Sequence, residues 1–145
     1  MIYHIEKINI KTSEGNPFHN ITARVLDAVQ NSEVFYGTVT IYSPHTTLAI
    51  KITENCKLMM QDCFDTLRII APVCDTYQHD NLELRDVPPD ERINGYSHVR
   101  QLFMNTSESI PIDDNKLLLG KWQDIFAVEL DPARDREIII TVMGE

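Results

Sequence analysis

The stretch Tyr42-Ser43-Pro44-His45-Thr46-Thr47-Leu48-Ala49-Ile50-Lys51-Ile52-Thr53-Glu54-Asn55 holds the pattern that sets the architecture. From residue 45 to 53 side chains alternate with period two, as in a half-buried strand. Thr46, Leu48, Ile50 and Ile52 take one face, and His45, Thr47, Ala49, Lys51 and Thr53 take the other. His45 is thereby expected to point away from the aliphatic face, which is not the setting of an ordinary core histidine. Asn55 then caps a helix expected over 57–70. Met59, Cys63, Leu67 and Ile70 lie on its apolar stripe, and Pro72 ends it.

Working outward, residues 3–11 read as a strand through Ile5, Ile8 and Ile10. Ile21, Val25, Ala28 and Val29 share one stripe of a helix with Asn20 as its cap. Residues 34–42 are β-branched and aromatic, with Gly37 marking a bulge or a close contact. Residues 73–92 are expected as a long acidic loop around Tyr77-Gln78-His79-Asp80, and loops of that length in compact domains carry function or move. Asn94 opens a short helix with Val99, Leu102 and Phe103 at i, i+3, i+4 spacing. Residues 106–111 read as loop, and 117–119, 122–130 and 137–143 as strands. Ile138-Ile139-Ile140-Thr141-Val142 is apolar on both faces, so this strand is placed centrally. The expectation is an α+β fold over residues 1–145, one domain, with a mixed but mostly antiparallel sheet or sandwich covered by helices.

A chain of 145 residues is long enough for a real core without staples. The net charge of −9 repels phosphate backbones, which argues against nucleic acid and anionic membrane as partners. A small phosphorylated ligand remains compatible, because a few local donors outweigh a distant screened field. No apolar run approaches the ~20 residues of a membrane span, and no signal-like segment opens the chain, so a cytoplasmic setting is expected. The three cysteines lack C-x-x-C spacing and read as reduced, mostly buried thiols.

Chemistry is expected where imidazoles meet element ends. His45, His79 and His98 stand 34 and 19 residues apart, a spacing that only the fold can close. Three neutral imidazoles plus water make an open zinc site; the plain alternative is three solvated or hydrogen-bonded side chains. His4 and His19 read as surface residues. Glu54 is either a solvated charge near the helix dipole or, beside His45, a group that orients the ring or takes a proton. Asn94-Gly95 at a helix start offers free N–H groups for an anion, with Arg92 and Arg100 placed to grip phosphate. Trp122 is expected half-buried against the sheet, with Gln123 beside it facing a polar pocket or a subunit seam.

At these residues the chain resembles the YjbQ family, small proteins often described as secondary thiamine-phosphate synthases. The resemblance runs almost end to end. It rests on His45-Thr46-Thr47 with Glu54-Asn55, Tyr77-Gln78-His79-Asp80, Glu91-Arg92-Ile93-Asn94-Gly95 with His98, Ile110-Pro111-Ile112, Leu119-Gly120-Lys121-Trp122-Gln123, and Glu129-Leu130-Asp131 with Gly144-Glu145. It implies an α+β fold, a homotrimer, and a polar pocket built around histidines, for which a subunit interface is one candidate place. The implied activity joins hydroxymethylpyrimidine diphosphate to thiazole phosphate and releases pyrophosphate. By that resemblance His45, Glu54 and His98 are catalytic candidates. His45, His79 and His98 are candidate ligands of zinc or another divalent metal, and Arg92, Asn94, Gly95 and Arg100 are candidate holders of the phosphorylated substrate. A non-catalytic trimeric metabolite-binding protein and a zinc-dependent hydrolase are the alternatives. The chain departs from the family pattern at Tyr96, where histidine is common, at Lys57-Leu58, where Asp-Pro often stands, and at Asn115, which replaces a frequent turn glycine.

Overall fold

The computed structural model describes residues 1–13 and 15–145. In chain order the elements are β1 (Ile2–Lys11), β2 (Phe18–Asn20), α1 (Thr22–Ser32), β3 (Tyr36–Tyr42), β4 (Leu48–Glu54), α2 (Lys57–Ile70), α3 (Gly95–Gln101), β5 (Ser107–Asp113), β6 (Lys116–Leu117), β7 (Gln123–Glu129) and β8 (Asp135–Gly144). Two single 3₁₀ turns, Gln78–Asp80 and Leu82–Leu84, interrupt the long connection before α3.

The strands form a five-stranded sheet, β1-β8-β3-β5-β6, and a three-stranded sheet, β2-β7-β4, and every described pairing is antiparallel. Together they curl into a half-barrel, the α+β architecture expected from the sequence. Ile8, Val39, Ile41, Ile138 and Ile140 of the larger sheet meet Leu48, Ile50 and Ile125 of the smaller one, and Ile21, Val25, Ala28 and Val29 of α1 complete this core. The smaller sheet is buried on both faces. Its other face, Ala49, Phe126 and Val128, is covered by Met60, Phe64 and Leu67 of α2. β8 lies between β1 and β3, as its doubly apolar sequence requires.

Gly37 is a close contact rather than a bulge. It sits opposite Gly144, and a Cβ on Gly37 would lie 2.0 Å from the Met143 carbonyl oxygen. The β5–β6 turn places Asp114 and Asn115 at φ 52° and 58°, the left-handed pair of a two-residue hairpin loop, which asparagine tolerates.

Several expectations are corrected. Residues 107–113 form a strand, not a loop. Pro111 is tolerated because its carbonyl accepts from Leu118 on the β6 side, so its missing N–H also points away from the β3 ladder. The strand after Tyr42 starts only at Leu48, so the alternation does not reach His45. α2 spans the expected residues, but its inward stripe is Met60-Phe64-Leu67; Cys63 and Ile70 are exposed. All three cysteines are free, yet Cys63 and Cys74 are exposed and Cys56 only half-buried. α3 inverts its expected polarity: Gly95, Ser97 and Arg100 are buried, while Leu102 and Phe103 are exposed. Trp122 is 68% exposed, with Lys121 Nζ 4.9 Å from its ring centroid.

Candidate functional site

A buried polar network organises one end of the half-barrel. β7 ends on Glu129, whose carboxylate receives Nε and Nη2 of Arg136 at 2.8 and 2.5 Å, a two-point pair inside the protein. Thr12 Oγ1 donates to the same carboxylate at 2.8 Å, and Arg136 Nη2 reaches Thr47 Oγ1 at 2.9 Å. The Asp131 N–H donates to Glu129 Oε1 at 3.1 Å. The Asp131 carboxylate in turn pairs with Arg134, and Asn94 Nδ2 donates to its Oδ2 at 3.1 Å. Ser97 Oγ donates to the Leu130 carbonyl at 2.7 Å, so two residues of the α3 start are tied to the end of β7. Glu129 closes β7, Arg136 lies at the start of β8, and Asp131 and Arg134 belong to the turn between them, so the four charges meet there and cancel pairwise. The sequence shows the spacing, and only the β7–β8 turn makes it a network.

The expected histidine cluster divides. His79 and His98 come together with ring centroids 4.2 Å apart and planes inclined by 35°. Burial lowers the His98 pKa, and neighbouring His79 lowers it further against the opposing pull of Asp131. His45 does not join them. Its Nε2 lies 3.1 Å from both the N and the O of Glu137, so the ring accepts from that amide or donates to that carbonyl according to tautomer. The reason is local. Extending the β3–β8 register two residues past Tyr42 puts Pro44 opposite Glu137. Proline has no N–H to continue the ladder, and the imidazole takes that place. Burial and the Arg136 charge lower the His45 pKa. Among the described residues no group of three His, Cys, Asp or Glu side chains stands close enough to hold a metal ion. Among the described residues His79 and His98 are the two of the three imidazoles that stand together as candidate donors within one chain.

The other candidates are placed as follows. Glu54 is exposed at the far end of β4, roughly 20 Å of strand beyond Leu48, whereas His45 precedes the strand. It does not orient that ring within the chain. Arg92 is exposed in the loop before α3. Two N–H groups of the α3 start are taken: Gly95 donates to Asp80 Oδ1 at 2.8 Å, and Ser97 donates to the Asn94 carbonyl at 2.9 Å. Gly95 is obligatory for another reason, since a Cβ there would lie 2.4 Å from Tyr77 Cβ. Neither Asn94 nor Asn55 caps through its side chain; Asn55 Nδ2 donates to Asp124 at 2.9 Å. The N-cap of α1 is Ile21 rather than Asn20 and makes no side-chain cap, although Asn20 Oδ1 accepts the N–H of Thr22 at 3.0 Å. His4 and His19 are half-buried, each with a buried Nε2 lacking a partner among the described residues.

Sequence reasoning did not find the cavity. A cleft of about 740 Å³ opens between α2, α3, the segment before β2 and residues 129–133. Such a volume suits a small-molecule site. Lys57, Gln61, Phe64 and Arg68 face it from successive turns of α2, and Tyr96 and Arg100 face it from α3. Arg100 is 2% exposed. Its Nε donates to the Ala71 carbonyl at 3.0 Å, while its Nη2 is shut off from water with no partner among the described residues. Burial lowers its pKa, although a guanidinium remains charged in proteins. Glu129 and Asp131 also line the cleft, but Arg136 and Arg134 neutralise them. Arg68 has only a 3.6 Å contact with Asp65 at the exposed rim. Among the described residues three cations thus dominate the lining, in a chain of net charge −9.

The sequence model of the family described as "UPF0047 protein YjbQ-like" matches residues 6–145. The chain belongs to this family. A UPF0047 protein of Methanocaldococcus jannaschii is 33% identical over 140 residues, covering 96% of this chain and 94% of that protein. A YjbQ/UPF0047 structure from Clostridium acetobutylicum aligns with TM-score 0.83 and 30% identity, covering 95% of this chain and 99% of that one. A YbjQ-like protein of Sulfolobus solfataricus aligns with TM-score 0.81 and 27% identity over 99% of each chain. The UPF0047 fold of this chain is thus that of solved relatives along its whole length. No helix among the described residues is long and apolar enough to cross a membrane.

Proposed function

We propose that this UPF0047 protein binds a small phosphorylated metabolite in the cleft between α2, α3 and residues 129–133. Within that class, the reaction to test first is the coupling of hydroxymethylpyrimidine diphosphate to thiazole phosphate. The carrying observation is Arg100: a buried guanidinium whose Nη2 has no partner among the described residues, lining a cavity whose uncompensated charges, among those residues, are all positive. Burying such a group without a counter-ion is unfavourable, and an oxyanion relieves it. In the coupling, the thiazole nitrogen attacks the pyrimidine methylene carbon, its C–O bond breaks, and the electron pair leaves on pyrophosphate. Arg100 and Lys57, both lining the cleft, are the groups proposed to stabilise that growing charge. The step requires no protein nucleophile and no general base, which agrees with a lining whose two carboxylates among the described residues, Glu129 and Asp131, are already paired.

The test is direct. Protein is incubated with both substrates, and pyrophosphate and thiamine phosphate are quantified for the natural chain and for Arg100→Gln. Turnover lost in the variant supports the reading. Thermal protection by pyrophosphate without turnover supports the non-catalytic binding protein instead, and no protection at all overturns both. The zinc-hydrolase alternative needs a third ligand beside His79 and His98, and stoichiometric zinc in purified protein would favour it.

A homotrimer is part of the proposal. Tyr3 and Ile5 of β1, Tyr36 and Tyr42 of β3 and Met143 of β8 share the outer face of the five-stranded sheet and are all exposed. An apolar sheet face of that extent is usually covered by a partner. Light scattering on the natural chain and on an Ile5→Lys, Tyr42→Lys variant tests this: three chains falling to one supports it, and a monomeric natural chain overturns it.

A further inference from the structure

The Arg100 guanidinium lies close to two aromatic rings. Its Cζ is 4.8 Å from the Tyr96 ring centroid and 5.5 Å from the Phe64 ring centroid. Both separations are within cation–π range. Nε is committed to the Ala71 carbonyl, which fixes rotation of the group in its own plane. Only the Nη edge is left without a partner among the described residues. Tyr96 precedes Arg100 by one helical turn, so the stack is built into α3. Phe64 belongs to α2, so the stack also bridges the two walls of the cleft.

From this geometry we infer that the cleft accepts its ligand's oxyanion edge-on to Arg100, with Tyr96 and Phe64 as positioning residues that hold the guanidinium for in-plane, two-point recognition. The inference deepens the reading of the cleft given above and rests on it. With Nε committed to Ala71 and two rings close to Cζ, the Nη edge is what remains for a ligand, and two oxygens of one phosphate or carboxylate fit it. The ligand class is therefore an oxyanion attached to an apolar or aromatic body. That body lies against the Phe18, Met60 and Leu130 side of the cleft, and Lys57 and Arg68 attend a second charge nearer the α2 surface. Lysine at 100 would supply charge without the edge, and an aliphatic residue at 64 or 96 would keep volume without the π face.

The experiment is calorimetric titration of the natural chain and of Arg100→Lys, Tyr96→Phe, Tyr96→Leu and Phe64→Leu. Pyrophosphate is the phosphate probe and malonate the carboxylate probe, with folding checked by thermal unfolding. Tyr96→Phe is expected to bind within about twofold of the natural chain, whereas Tyr96→Leu and Phe64→Leu weaken binding about tenfold each with melting curves still cooperative. Arg100→Lys is expected to lose more than either leucine variant. The stronger probe identifies phosphate or carboxylate as the physiological group. Binding by Arg100→Lys equal to the natural chain, or binding indifferent to loss of either ring, overturns the inference while leaving an anion-binding cleft. Absence of pyrophosphate and malonate binding in the natural chain overturns the cleft reading as well.

Discussion

Replacing Arg136 by methionine is the sharpest test of the network that supports the cleft. The substitution keeps an unbranched side chain of similar reach and removes the guanidinium from a site only 5% exposed. Glu129, 4% exposed, is then left with the Thr12 hydroxyl and the Asp131 N–H as its remaining donors. Breaking a buried ion pair from one side costs about 3–5 kcal/mol, because the other charge stays buried and unpaired. That is a large part of the ~5–15 kcal/mol by which domains are stable. With a urea m-value near ~2 kcal/mol per molar, the unfolding midpoint falls by roughly 2 M. The assay is urea unfolding followed by far-UV circular dichroism at fixed protein concentration, since any assembly links stability to concentration. Adding Glu129→Gln removes the stranded charge, and the double variant is expected to recover to within about 1 kcal/mol of the natural chain. A loss below about 1 kcal/mol in the single variant, or a double variant no better than the single, refutes the claim that a buried charge pair holds this end of the fold. The His45 imidazole gives a second readout: with the Arg136 charge gone, its pKa moves up toward the ordinary value, as an NMR titration will show.

The remaining predictions concern packing, pH and metal. Gly95→Ala drives a Cβ to within 2.4 Å of Tyr77, so the Tyr77–Asp80 turn must shift; about 1–3 kcal/mol of stability is lost, and a loss under about 0.5 kcal/mol contradicts the packing. Burial lowers the His19 pKa below its ordinary value, with Glu129 opposing. Above that value both folded and unfolded chains carry a neutral ring; below it the unfolded chain takes the proton first, so stability declines as pH falls from about 7 toward 5. His19→Gln should flatten that decline in melting temperature, and an unchanged slope rejects the assignment. On the proposed reading a guanidinium anchors the ligand, so chelation with EDTA should leave pyrophosphate affinity unchanged within about twofold; a tenfold loss would place a metal in the site.

Local pattern carried much of the architecture. The apolar stripe of α1, the limits of α2 and the doubly apolar β8 are short-range signals, since periodicity and burial are imposed on neighbours along one element. The family resemblance was equally legible, because motif order survives in the chain itself. β5 was missed because Pro111 reads as a breaker until the pairing shows its imide turned to the open side. The α3 stripe was misread because Ser97 and Arg100 are buried by partners, Leu130 and Ala71, that lie 33 and 29 residues away.

The histidines show where local reading ends. His45, His79 and His98 were grouped by residue type, and type cannot say which pair the chain will stack and which ring will finish a strand ladder. That choice belongs to Pro44, which withholds an N–H opposite Glu137, and to the β3–β8 register that puts it there. The cleft has the same origin. Lys57, Phe64 and Arg68 are one helix face in the sequence, but their meeting with Tyr96 and Arg100 requires α3 to be pinned to the end of β7 through Asn94, Ser97 and Asp131. Periodicity along a chain specifies which side of an element is apolar. Convergence of charges from distant elements exists only once loop closure and sheet pairing have set the distances between them.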